Sequence, residues 1–351
     1  MTLIKVKSRG TDNVSGRRNI MYNGAMQIAQ RGDQTSLTNG YTGCDRWKFD
    51  RSGSSAVVTG KQTSSGNIPE NGFPNAVHID VTTADSSVSA GDIVLQRQYI
   101  ESQDLQHLKF GTSSAESLTL SFWVKSSKTG THWVEIYAYD ANKVNSASYS
   151  VSSANTWEHK TVTFVGETST AIPNDNTHGI VVQWWLKAGS TYAGGTHPGN
   201  VWHLTQSNRA PGQVNVMDST DNNFYLTGVQ LEVGDSASDF EHRSFGEELA
   251  LCQRYFYRMG GNGILFYADY YSNDTLVSKE PLPVDMRVKP TITTNGTGGY
   301  GSTNFFYINL AATPTLGSAK NHVHVYRGVS NAARSYIYLD PNSSLDASAE
   351  L

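Results

Sequence analysis

The sequence predicts a mostly β protein: a sandwich or barrel joined by one connecting helix to a small C-terminal β domain. Three observations predict it. Apolar and polar residues alternate in short runs, Gly, Ser and Asn punctuate those runs, and no helical period survives between residues 110 and 235. With 17% charged residues the chain is too charge-poor for a coiled coil, and with 11% aromatic residues too ring-rich for a disordered one. A length of 351 residues suits two domains, or one large β domain with additions.

Residues 1–19 read as a basic arm. Lys5, Lys7, Arg9, Arg17 and Arg18 stand against a single Asp12, so this leader carries +4 and the remainder −8 of a total of −4. Such an arm is expected to be flexible by itself and to dock on an acidic partner. The span 20–243 reads as strands. Leu118-Thr119-Leu120-Ser121-Phe122-Trp123-Val124-Lys125 alternates with the period of a half-buried strand, 127–130 is a turn, and 133–139, 157–165, 180–187 and 223–233 continue the pattern. Ser244-Phe245-Gly246-Glu247 is a capping box that opens a helix over 244–259, with Leu249, Cys252 and Phe256 on one stripe and Gly260-Gly261 as its stop. Short aromatic runs at 264–271, 286–294, 304–310, 322–327 and 335–339 place a small β domain in 260–351.

The sequence lacks the motifs of common enzymes: HExxH, GxSxG, a Walker loop, or GxGxxG opening a helix. Cys44 and Cys252 form neither a disulfide framework nor a zinc site. His322 and His324 share a strand face without a third ligand, and capping accounts for the acids Asp239, Glu241, Glu247 and Glu248. No catalytic residue, cofactor or metal is therefore expected. The net charge excludes a general nucleic-acid binder, no apolar run spans a bilayer, and the polar N-terminus is not read as a signal peptide. Strand faces are more informative. With Phe122, Val124, Val134, Ile136, Ile180, Val182, Trp184 and Leu186 inward, the outward set contains Trp123, Trp133, Glu135, Tyr137, Gln183 and Trp185. Flat rings interleaved with hydrogen-bonding groups suit the faces and hydroxyls of pyranose sugars, and equally a subunit interface.

Three segments carry a family resemblance. Residues 19–32 (NIMYNGAMQIAQRG) are similar to the opening NLLINGDMRVWQRG pattern of phage virion proteins, and Tyr41–Trp47 (YTGCDRW) resembles the DRW strand that follows it. Residues 224–234 (FYLTGVQLEVG), then FEHR at 240–243 and EELALCQRY at 247–255, resemble their closing strand and CQRYY helix. Residues 282–291 (LPVDMRVKPT) are similar to tail-fibre chains. The resemblance implies a jelly-roll β-sandwich like that of carbohydrate-binding modules, carried on a tail fibre or other virion appendage, commonly a trimer. Related modules begin with NGxFE and end on an acidic DD strand whose carboxylates help hold calcium. Here Met26-Gln27 and Thr227-Gly228 occupy those places without carboxylates.

These readings converge on a non-enzymatic virion structural protein, assembled in the host cytoplasm as a homotrimer. Its arm (Lys5, Lys7, Arg9, Arg17, Arg18) would attach it to other virion proteins, and Trp123, Trp133, Glu135, Tyr137, Gln183 and Trp185 would meet host-surface polysaccharide. The alternative from the same residues is a purely architectural subunit whose rings are interfaces; a depolymerase is a third, weaker reading.

Overall fold

The computed structural model describes residues 18–64, 66–69, 72–260, 265–267, 269–272, 275–295, 306–307, 315–328, 336–339 and 344–351. Two six-stranded antiparallel sheets form the body. In spatial order the first holds β1 (Gln34–Leu37), β4 (Val57–Thr63), β5 (Ala76–Thr83), β12 (Asn223–Val233), β7 (Leu118–Ser126) and β10 (Glu158–Phe164). The second holds β2 (Gly40–Tyr41), β3 (Lys48–Ser52), β6 (Ile93–Glu101), β11 (His178–Ala188), β8 (Gly130–Ala138) and β9 (Lys143–Val151). From β5 onward the chain passes back and forth between the sheets, so neighbours such as β5 and β12 are far apart in sequence. This is a jelly-roll β-sandwich.

The expected alternation places the core. Leu120, Phe122 and Val124 of β7 face Val134 and Ile136 of β8 and Ile180, Val182, Trp184 and Leu186 of β11, all fully buried. Trp184 lies 5.6 Å from Trp47 and 5.5 Å from Phe122, ring centre to ring centre. Each such side chain contributes roughly 1.5–3 kcal/mol of hydrophobic stabilisation.

The segments at 19–32, 41–47 and 224–255 meet at one buried junction. Asn23, with a positive φ of 51°, clamps the Ile28 amide and carbonyl with its side-chain amide, and its own N–H donates to Glu248 Oε1 at 2.5 Å. Arg243 donates to the carbonyls of Asn19 and Met21, and Trp47 Nε1 donates to the Asn23 carbonyl at 3.1 Å. Gly24 must be glycine, because a Cβ there would stand 2.2 Å from the Val229 carbonyl oxygen. These motif residues are thus the fastening between the strand entering the sandwich, its closing strand and the helix. Asp239 and Glu241 belong to the same fastening: Arg18 donates to the Asp239 carbonyl and the Glu241 carboxylate accepts the Arg18 and Asn19 amides.

The helix is shorter than its sequence suggests. It runs Phe245–Gln253, with the Ser244 hydroxyl accepting from the Glu247 amide at 3.3 Å, and buries Glu248 and Cys252. Residues 256–259, read as its last turn, instead belong to strand β13 (Phe256–Gly260), paired with β22 (Ser344–Ser348). The Phe-Tyr run favours a pleated surface, and Arg258 closes a bidentate pair with Asp346 across the strands at 2.8 and 2.7 Å. Phe256 is therefore buried on a sheet, off the helix stripe.

Beyond it lie β14 (Leu265–Tyr267), β15 (Asp269–Ser272), β16 (Thr275–Pro281), β17 (Thr291–Asn295), β18 (Phe306–Tyr307), β19 (Thr315–Ala319), β20 (His322–Gly328) and β21 (Tyr336–Leu339), all in antiparallel pairs. Five of them, β14, β15, β18, β20 and β21, fall at the expected 264–271, 304–310, 322–327 and 335–339; β17 overlaps the expected run only at its end, because 282–290 is an irregular Pro-containing stretch. The segment after β22 returns to the sandwich, where Glu350 is bracketed by Arg31 and Arg46. Lys5, Lys7, Arg9 and Arg17 of the basic arm lie outside the described residues; Arg18, beyond its Asp239 bond, has Glu232 at 3.7 Å.

Candidate functional site

Strand register decides which of the six sequence-selected residues share a surface. Trp133, Glu135 and Tyr137 alternate along β8, and Gln183 and Trp185 lie on β11, with Gln183 directly opposite Glu135. These five point away from the core on the outer face of the second sheet. Trp123 does not join them. It stands on β7 in the first sheet, on the opposite side of the sandwich. Alternation along one strand fixes inside against outside, but not which of two sheets a strand enters.

A second departure concerns exposure. The connection from β11 to β12 folds over the second sheet as a strap, with a short helix α1 (Ser190–Ala193) and a 3₁₀ turn at Gln206–Asn208. Under it Trp133 is 5% exposed and Trp185 fully covered, packed with Leu95, Ala188 and Ala210. Trp133 Nε1 donates to the Pro211 carbonyl at 2.8 Å, and Tyr192 lies 5.6 Å from Trp185. Glu135 and Gln183 are buried as well, and Glu135 accepts from Gln183 and from both Nε and Nη2 of Arg209 on the strap. The Arg209 guanidinium lies 5.1 Å from the Trp185 ring. Burial pulls its pKa down, and the Glu135 charge beside it outweighs this and raises it. Trp133, Glu135, Gln183 and Trp185 therefore hold the strap and are not free rings at the surface.

Beyond the strap the same face opens at Tyr139, with Tyr137 and His178 half-buried and Tyr99 8% exposed. Tyr139, 49% exposed, lies 5.8 Å from Tyr137 and stacks on His178 at 4.9 Å, and His178 lies 4.9 Å from Tyr99. Arg97 lies 4.9 Å and Lys48 5.4 Å from the Tyr99 ring, and Asp50 pairs with Arg97. Burial lowers the His178 pKa, assisted by the positive charges of Arg287, Lys48 and Arg97; burial also raises the Tyr99 and Tyr137 hydroxyls. The strip thus combines flat rings, neutral hydrogen-bonding groups and a cationic edge. Alternation along 133–139 places Tyr139 on the outward face beside the selected residues, whereas Tyr99 and His178 were missed in the sequence because they sit near strand ends, where alternation carries no further information.

Among the described residues no three of His, Cys, Asp and Glu come together to hold a metal. His322 and His324 lie 5.1 Å apart, ring to ring. At Thr227-Gly228, which lack carboxylates, the Thr227 hydroxyl donates to the Asn75 carbonyl at 2.6 Å, and Gly228 adopts a positive φ of 58° within a bulge of β12.

No protein-family model matches the chain, and no curated protein matches it. Among solved structures it is similar to the enzymatically active domain of bacteriophage CBA120 tailspike protein 4, at 11% identity and TM-score 0.34, over 62% of this chain and 22% of that one. It is also similar to TmCBM61 in complex with β-1,4-galactotriose (10% identity, TM-score 0.31, 62% of this chain and 100% of that one). A third is the family 11 carbohydrate-binding module of Clostridium thermocellum in complex with a β-1,3-1,4-mixed-linked tetrasaccharide (11%, 0.28, 56% and 91%). At these scores the likeness carries no argument about this chain, and no ligand position is transferred from it.

Proposed function

We propose that this chain is a non-enzymatic structural subunit of a bacteriophage particle, on a tail fibre or similar appendage, and that it binds host-surface glycan through the open strip of its second sheet. The observation that carries the binding reading is the run Tyr137, Tyr139, His178, Tyr99, with neighbouring ring centres 4.9–5.8 Å apart beside Arg97 and Lys48. Tyr139 is 49% exposed, Tyr137 and His178 are half-buried and Tyr99 is 8% exposed, so the stacking surface offered to a sugar ring centres on Tyr139, and the cations and tyrosine hydroxyls offer partners to its hydroxyls. The phage reading rests on the sequence segments at 19–32, 41–47 and 224–255. In it the basic arm docks on other virion proteins, the subunits form a homotrimer, and neither nucleic acid nor membrane is a partner. A site of roughly millimolar affinity then gains about 10²–10⁴ through several copies acting together.

Burial of Trp133 and Trp185 favours the architectural alternative for that half of the face, since those rings serve the chain's own packing. The two readings part at Tyr139. Titration of host-envelope polysaccharide should give saturable binding that Tyr139→Ala weakens at least tenfold with an unchanged melting temperature. Binding by neither protein supports the architectural subunit instead, and equal binding by both places the glycan away from Tyr139 and refutes the strip as its site.

A further inference from the structure

We propose that the outer face of the first sheet is a second binding site, specific for a carboxylate-bearing sugar and independent of the strip on the second sheet. A single row crosses five strands: Lys61 on β4, His78 on β5, Tyr225 on β12, Lys125 on β7, and Trp157 immediately before β10. His78 stacks on Tyr225 at 4.1 Å with the ring planes 12° apart. The Lys125 ammonium lies 4.1 Å from the Tyr225 ring centre and 5.5 Å from that of Trp157, and donates to Asn67 Oδ1 at 2.9 Å. Trp123 lies one step along β7, half-buried and 5.1 Å from the exposed ring of His159.

The uncompensated cation is the informative feature. Lys125 is 7% exposed, and among the described residues its ammonium has ring faces and a neutral amide for company, with no carboxylate in ion-pair range. Holding an ammonium out of water without a counter-charge is unfavourable. The protein does the opposite where a buried lysine is structural: Lys187 sits between Asp85 and Asp92 at 2.7 and 2.8 Å. The charged neighbours of His78 in the row are Lys61 and Lys125 against Asp80 alone, so the face has cationic excess at its centre. Half-buried indoles beside that charge suit an anion carried on a flat-faced ring, and a charge-assisted hydrogen bond from Lys125 would be about twice as strong as a neutral one. His78, Lys125 and Tyr225 are 7–8% exposed, Lys61 and Trp157 are half-buried, and the row opens toward the exposed His159 and Thr161.

The test is calorimetric titration of the whole chain with oligogalacturonate, oligomannuronate and α2,8-oligosialate, each against its methyl ester, and with hexaglutamate. At least one acidic saccharide should bind saturably and at least tenfold tighter than its ester, with affinity falling as salt is added. Lys125→Met, which keeps the apolar stem, should remove that preference, Trp157→Ala should weaken acid and ester alike, and Tyr139→Ala should leave both unchanged. The proposal is overturned by absence of binding to every acidic saccharide, by equal binding of acid and ester, by tighter binding of hexaglutamate, or by an unaltered Lys125→Met. The acid–ester comparison decides the matter on the unmutated protein if Lys125→Met fails to fold. Loss of neutral-glycan binding in Tyr139→Ala is read separately and bears on the other sheet alone.

Discussion

Replacing Arg209 by Met removes the guanidinium that fastens the strap and keeps its apolar stem against Trp185. Glu135, fully buried, is then left with the Gln183 amide as its hydrogen-bond donor. Leaving one partner of a buried ion pair uncompensated costs about 3–5 kcal/mol, and the near-conserved volume adds less than about 1.5 kcal/mol. Glu135→Gln should cost less, about 1–2 kcal/mol, because Arg209 is 12% exposed and can turn toward water. The loss should appear first as local opening, since the strap is peripheral and held by a few backbone bonds such as Ala210 N to Tyr192 O and Val214 N to Thr131 O. Hydrogen exchange at those amides should accelerate by about 10²–10³ in Arg209→Met, with Trp emission shifting red as Trp133 and Trp185 meet water. Unchanged protection of the strap, or equal and additive effects of the two single variants in a double-mutant cycle, would refute the reasoning.

Three further outcomes follow from buried polar contacts. Glu101→Gln should destabilise by about 2–3 kcal/mol in urea unfolding, because Glu101 receives Arg254 through two 2.9 Å bonds and the Tyr255 hydroxyl at 2.5 Å; a change under about 0.5 kcal/mol would count against that anchoring. His132 is held neutral by burial, its pKa lowered to about 4 despite the Lys128 carbonyl bond. The unfolded chain takes up this proton first as pH falls below about 6.5, so stability should drop between pH 6.5 and 4 by about 3 kcal/mol in full; His132→Gln should flatten that part of the urea-midpoint profile, and an identical slope in both proteins would contradict it. Gly24→Ala should cost several kcal/mol or block folding, since the new Cβ meets the Val229 carbonyl backbone, whereas Gly246→Ala, with open space around its Cβ, should be tolerated in the same thermal melt.

Legibility followed the physics of each signal. Alternation in β7, β8 and β11 gave inward and outward residues correctly, because a two-residue period leaves no other arrangement once one face is apolar. Asn223–Val233 was readable to its ends for the same reason. The partition of β7 and β8 into different sheets was not readable, since it depends on pairing with strands as distant as β12 and β11. Nor was the strap, because its Tyr192, Ala193 and Ala210 lie scattered among Gly and polar residues and acquire meaning only once Trp133 and Trp185 are beneath them. The helix end was misplaced because Phe256 fits a helical stripe and a strand face equally well, and pairing with residues nearly ninety positions later decides between them. Within the segments at 19–32, 41–47 and 224–255, Asn19, Asn23, Trp47 and Arg243 each bond a specific backbone group of the junction, which ties those sequence motifs to the fold.

The central claim is non-catalytic glycan recognition on the open strip. Incubating host-envelope polysaccharide with the intact protein and with Tyr139→Ala, and measuring both bound fraction and chain length, tests it most directly. The account predicts saturable retention by the intact protein, loss of retention in the variant, and chain lengths unchanged in both. Shortened chains, or retention indifferent to Tyr139, would contradict it.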